Sequence, residues 1–196
     1  RALLCPGLRV ASREEAYEKA ALLNQLGRKA KAAGLRYGYH NHNSDFDRYG
    51  DETFIDILLK ETDPDLVTFE LDAAWAWRAG VDAAAFVNAH AGRFGLIHVK
   101  ETSRALGPQD DRGYIFAGAE YGPDGRPILT PEIKARLEEH RKINCKLGEG
   151  LINMPALKKA ADSQGVEAYI VEREYAYTGD NFTTVLADRE YLGALD

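Results

Sequence analysis

Apolar residues follow two rhythms along this chain, and the rhythms alternate. A helical rhythm starts at SREEA, where Ser12 has the N-cap position and Glu15 stands three residues on, the spacing of a capping box. Apolar positions then recur at Tyr17, Ala21, Leu22, Leu26 and Ala30, and Gly34 closes the run as a C-cap. TFIDILLK, DAAAFVNAHA and MPALKKAADS read as further helices, and TTVLADREYLGAL as a closing one. TPEIKARLEEHRKI is also helical, with Thr130 as N-cap and Pro131 in the first turn. Between them lie short runs of period two: LRYGYH, LVTFELD, FGLIHVK and AYIVERE. Strands separated by helices of about ten residues predict parallel strands with crossover helices.

The polar positions inside those strands carry the functional signal. In LVTFELD, Val67, Phe69 and Leu71 share one face, and Thr68, Glu70 and Asp72 share the other. His98 and Lys100 lie on one parity of FGLIHVK, Glu172 and Glu174 on one parity of YIVERE, and His40 and His42 on one parity of GYHNH. Parallel strands are normally apolar on both faces because helices cover the sheet. Buried ionisable groups need a partner, a hydrogen bond or a metal. Four strands ending this way predict a site at the carboxyl-end mouth of the sheet. His98, Asp72 and Glu172, with His40 as a fourth, form a mixed nitrogen and oxygen set. It suits Mn, Zn, Co or Fe more than Ca, and leaves Mg open.

Each residue has a plainer reading beside the functional one. Asp72 fits a cap on the following turn as well as a ligand, and Glu172 competes with Glu174 on parity. Glu70 reads as a deeper, supporting or salt-bridged residue. Lys100 is placed to hold a substrate oxygen or phosphate. Trp75 and Trp77 are either core fillers or an apolar wall beside a sugar ring, and Glu149 is either a loop charge or a substrate contact.

Composition trims the alternatives. The 196 residues are 45% hydrophobic, enough for a real core, and carry 25 Lys and Arg against 31 Asp and Glu, a net charge of −6. That balance argues against nucleic acid or an anionic membrane as partner. No Gly-x-Gly-x-x-Gly run follows a strand, and no Gly-Lys-Ser/Thr loop is present, so the usual phosphate-cradling routes to nucleotide binding are absent. Cys5 and Cys145 are too few for a disulfide framework or a cysteine zinc site. RALLCPGL has no long apolar stretch, and a cytoplasmic location is the expectation.

GLRYGYHNHNSDF, FELDAAWAWRAGVD, GLIHVKE and LGEGLINMPALKKAADSQGVEAYIVERE resemble the sugar phosphate isomerase/epimerase family of the xylose-isomerase-like TIM-barrel superfamily. The resemblance runs from about Leu22 to Glu172 and is to the C-terminal half of such proteins. It implies an α/β fold of the (β/α)8 TIM-barrel type, of which this chain holds about four to five βα units. The expectation is one partial barrel domain over residues 1–196, with a loop excursion at about 102–129. It also implies a divalent ion held at the ends of the last four strands. Asp72, His98 and Glu172 match the second, third and fourth ligand positions, and His40 stands where the epimerases usually have a glutamate. Glu172 and His40 are then the acid/base candidates, with His42, Lys100, Trp75 and Glu149 as substrate contacts.

The implied reaction is metal-dependent isomerisation or epimerisation of a keto-sugar or sugar phosphate through an enediolate. The alternatives are a sugar or inosose-type dehydratase, or a non-catalytic carbohydrate-binding or assembly protein. A partial barrel exposes sheet edges, so the expected partner is a second copy or a complementing half.

Overall fold

The computed structural model describes residues 2–105, 115–173 and 179–195. Part of the expected excursion (residues 106–114) and Glu174 lie outside them. By contact the described chain falls into two units. One holds the residues up to Lys100 together with Ile152–Glu172, and the other those between Glu101 and Leu151 and between Arg173 and Gly193.

The first unit is built on a five-stranded parallel sheet. Its strands are β1 (Ala2–Cys5), β2 (Arg36–His40), β5 (Val67–Asp72), β6 (Phe94–Val99) and β7 (Ala168–Val171), in the order β1-β2-β5-β6-β7. Two-residue strands β3 (Arg48–Tyr49) and β4 (Glu52–Thr53) form a separate antiparallel pair. The helices arise where the pattern puts them. α1 (Arg13–Ala32) opens on Ser12, whose hydroxyl accepts from the Glu15 N–H, and α2 (Phe54–Glu61) opens on Thr53. Next come α3 (Ala73–Arg78) and α4 (Ala83–Ala89), capped by Asp72 and Asp82.

Strand periodicity separates two faces. Tyr39, Val67, Phe69, Leu71, Ile97 and Val99 are buried on one, together with Ala16, Ala20 and Leu23 of α1 and Ile55, Ile57 and Leu58 of α2. The other face carries the polar set in register: His40 pairs with Glu70, and Asp72 with His98. Gly38, two residues below His40, sits where neighbours crowd the backbone. A Cβ there would come within 2.7 Å of Leu4 Cδ2 and 3.0 Å of Thr68 Cγ2.

The second unit contains α5 (Pro131–Arg141), which opens on Thr130 with Pro131 in its first turn, and α7 (Asn181–Gly193). Beside buried Ile115, Ile133, Ile143 and Leu147 it encloses an ion pair, Arg173 with Asp188, to which Leu147 donates its N–H and Asn144 lends an acceptor. α6 (Met154–Ser163) belongs to the first unit, where Gln164 at its end donates to the Val87 carbonyl of α4.

Candidate metal centre at the strand ends

Asp72 is the last residue of β5 and the cap of α3, and its two carboxylate oxygens divide the work. Oδ1 accepts from the Trp75 N–H at 2.8 Å. Oδ2 is left facing the polar side of the sheet, 2.8 Å from His98 Nδ1 and 4.0 Å from His40 Nε2. The residue is fully buried, and its own N–H donates to the Asn41 side chain. The cap reading of Asp72 therefore holds through Oδ1 and leaves Oδ2 available to the cluster.

His40, Asp72 and His98 each present one ligand atom, all within 4.8 Å of one another. Asp72 Oδ2 and both ring nitrogens of His98 are buried without a hydrogen-bond partner. The 2.8 Å approach of Nδ1 to Oδ2 is short, but the groups are not aligned for a hydrogen bond. Buried polar atoms left in this condition cost stability unless something else binds them. Two imidazoles and a carboxylate converging on one point fit a divalent transition ion or Mg. Asp72 and His98 favour each other's charged forms, so an ion binding here would have to displace a proton from His98. Burial opposes ionisation of Asp72, but the adjacent His98 and Lys100 outweigh it and hold the carboxyl below its usual range. For His98, burial works against the imidazolium, and Asp72 more than offsets this, raising its pKa.

Glu172 stands apart from the three. Its side chain is 54% exposed, with Oε2 3.6 Å from His98 Nε2 and 3.9 Å from Lys100 Nζ. His40 is held from behind by Glu70, whose Oε2 is 2.9 Å from Nδ1.

His42 reaches this region by a different backbone route from the one its parity suggested. β2 ends at His40, Asn41 is buried, and His42 caps a 3-10 turn over Asn43–Phe46. Its ring lies 5.0 Å from that of His40 and 5.5 Å from that of Trp75. Gly7, at φ +144°, crosses against it; a Cβ there would stand 3.2 Å from His42 Nδ1. Trp75 is half-buried between His42 and the Arg78 guanidinium, 5.3 Å from its ring. Trp77 is half-buried in the same helix. Glu149 belongs to the second unit, in the turn after Leu147.

Sequence reasoning did not find Asp45. This buried carboxylate accepts from the His42 N–H at 2.9 Å and the Tyr39 hydroxyl at 2.8 Å, and that hydroxyl accepts from the Leu8 N–H. Burial pushes its pKa up to about 6. The available signal was Asp45 three residues after His42, the N3 position of a capping box.

An inosose dehydratase of Clostridium beijerinckii is 33% identical over 98 residues, 50% of this chain and 32% of its own length. One from Lacticaseibacillus casei is 25% identical over 186 residues, 92% of this chain and 55% of its own. A crystal structure of a sugar phosphate isomerase/epimerase from Parabacteroides distasonis superimposes with a TM-score of 0.70 at 25% identity, covering 98% of this chain and 57% of that one. The chain thus spans little more than half the length of these last two proteins. The xylose isomerase-like TIM barrel family matches residues 2–194, and this chain belongs to that family.

Proposed function

We propose that this protein removes a proton α to the carbonyl of a polyhydroxylated ketone, a keto-sugar or its phosphate, with the help of a divalent ion. One observation carries the reading: His40, Asp72 and His98 converge within 4.8 Å, and buried donor atoms among them have no hydrogen-bond partner. The ligand set is His40, Asp72 and His98, with Glu172 at the rim. An ion bound there supplies Lewis-acid polarisation of a carbonyl and its neighbouring hydroxyl.

The protein's own groups do the rest. Glu172 is half-exposed and therefore placed to take the α proton and return it. Lys100, 3.9 Å from it, steadies the negative charge that develops on the substrate oxygen. His42 and Trp75 offer an aromatic wall for the apolar face of the sugar ring.

The dehydratase reading shares the first step and then loses the β-hydroxyl as water. The Clostridium and Lacticaseibacillus relatives, both inosose dehydratases, favour it. Proton NMR in deuterated water separates the two. Deuterium at the α carbon with the skeleton intact means isomerase or epimerase; an unsaturated product means dehydratase. Neither exchange nor an unsaturated product across keto-sugars, their phosphates and keto-inositols, with metal confirmed bound, overturns both.

We also propose that β1 and β7, the two edges of the sheet, are covered by another chain, either a second copy or a complementing half. Leu3 on β1 is 51% exposed, and Ile170 on β7 is 40% exposed. Light scattering that finds only monomer at micromolar concentration rejects the second copy. Among the described residues no helix is long and apolar enough to cross a membrane.

A further inference from the structure

We infer that Glu70 is a positioning residue: its hydrogen bond to His40 fixes the Nδ1–H tautomer and so presents a bare Nε2 to the point where Asp72 and His98 converge. This deepens the metal reading and rests on it only for the affinity measurement below.

Glu70 lies two residues before Asp72 on β5, on the same face, and its backbone pairs with that of His40. Its side chain is 6% exposed and that of His40 13%. Glu70 Oε2 approaches His40 Nδ1 to 2.9 Å. Carboxylate oxygens accept and do not donate, so a contact this short between buried atoms is favourable only when Nδ1 carries the proton. The opposite tautomer sets a nitrogen lone pair against a carboxylate lone pair in a low-dielectric place, which costs free energy.

With the proton on Nδ1, a neutral ring has its lone pair on Nε2. That atom is 4.0 Å from Asp72 Oδ2, too far for a hydrogen bond, and it is directed into the cluster of ligand atoms. The same hydrogen bond draws density toward the proton and makes Nε2 a better donor. Asp72 has an anchor of its own, the Trp75 N–H on Oδ1, whereas neither ring nitrogen of His98 has a hydrogen-bond partner. Of the two imidazoles, His40 is the one whose donor nitrogen is selected by the protein in advance.

Two measurements test this. In metal-free wild-type protein at about pH 8, where a free imidazole is neutral, two-bond nitrogen–proton NMR of labelled histidine should show His40 protonated at Nδ1 and bare at Nε2. Glu70→Leu should release the ring to the other tautomer or a mixture. Calorimetric titration with Mn, Co or Zn should show roughly 10–100-fold weaker binding in Glu70→Leu. Glu70→Gln, whose amide oxygen still accepts from Nδ1–H, should recover the tautomer and most of the affinity; this rescue separates positioning from bulk packing. His40 protonated at Nε2 in the wild type, or Glu70→Leu unchanged in tautomer or in affinity, overturns the inference. If the wild type binds no ion, the metal reading falls and the tautomer measurement alone decides the role of Glu70.

Discussion

On the helix-covered face of the sheet, Tyr39, Phe69, Leu71 and Ile97 are sealed from solvent, and the aromatic rings meet edge to face, Tyr39 with Phe54 and Phe69 with Phe94. One residue along on the same strands, His40, Glu70, Asp72 and His98 crowd the opposite face, and several of their atoms have no hydrogen-bond partner. The first face is satisfied by its own neighbours. The second is not, although an unsatisfied buried polar atom is something folding normally removes. The difference separates a face that its own neighbours complete from one that, on the function proposed above, a ligand completes, on strands shared by both.

The largest effect expected on the sealed face follows from truncating an aromatic core residue. Phe69→Ala should cost about 3–5 kcal/mol in urea unfolding, by lost burial and a residual cavity. A cost below about 1 kcal/mol would mean that this face is not the tightly packed core described here.

On the open face the expected effect is a gain on adding metal. At a free ion concentration about a hundred times Kd, stability should rise by roughly 2.7 kcal/mol. His98→Ala should abolish that rise, and a rise that survives the substitution would place the ion elsewhere.

Asp72→Asn sharpens the comparison within one side chain. Asparagine caps helices as well as aspartate does, so Oδ1 can keep the Trp75 N–H and stability should change by no more than about 1 kcal/mol. Metal affinity should nevertheless fall, because the anionic oxygen facing His98 is gone. Equal losses in stability and affinity would argue that Asp72 is only a cap.

The smallest effect concerns Asp45 and pH. Its folded pKa, raised by burial to about 6, lies above that of an exposed aspartate. Below about pH 4 the carboxyl is protonated in both states and burial carries no charge penalty. Stability from this group is then lost as pH rises through about 6. Asp45→Asn keeps acceptors for the His42 N–H and Tyr39 hydroxyl and should remove that decline. Unfolding free energies at several pH values would show the two proteins diverging as pH rises; parallel curves would contradict the shift.

Much of this was legible in the sequence because period-two alternation decides which face a side chain takes, and that placed His40, Glu70, Asp72 and His98 together. Helix starts at Ser12 and Thr130 followed from side chains able to accept an N–H. Parity does not say where a strand stops. β2 ends one residue before Asn41, so His42 arrives through a 3-10 turn fixed by Asp45. Nor does parity give side-chain direction, which is why the partition of the Asp72 oxygens and the Glu70–His40 bond appear only in three dimensions. Glu172 has the expected parity, but it lies beyond the end of β7 and at the rim, outside the cluster of three.

The most direct test of the central claim is a diffraction measurement at a metal absorption edge, on crystals grown with excess Mn or Co. The account predicts one anomalous peak per chain within ligand distance of His40 Nε2, the Asp72 carboxylate and a ring nitrogen of His98. Well-ordered side chains at these positions with no anomalous peak between them would contradict it.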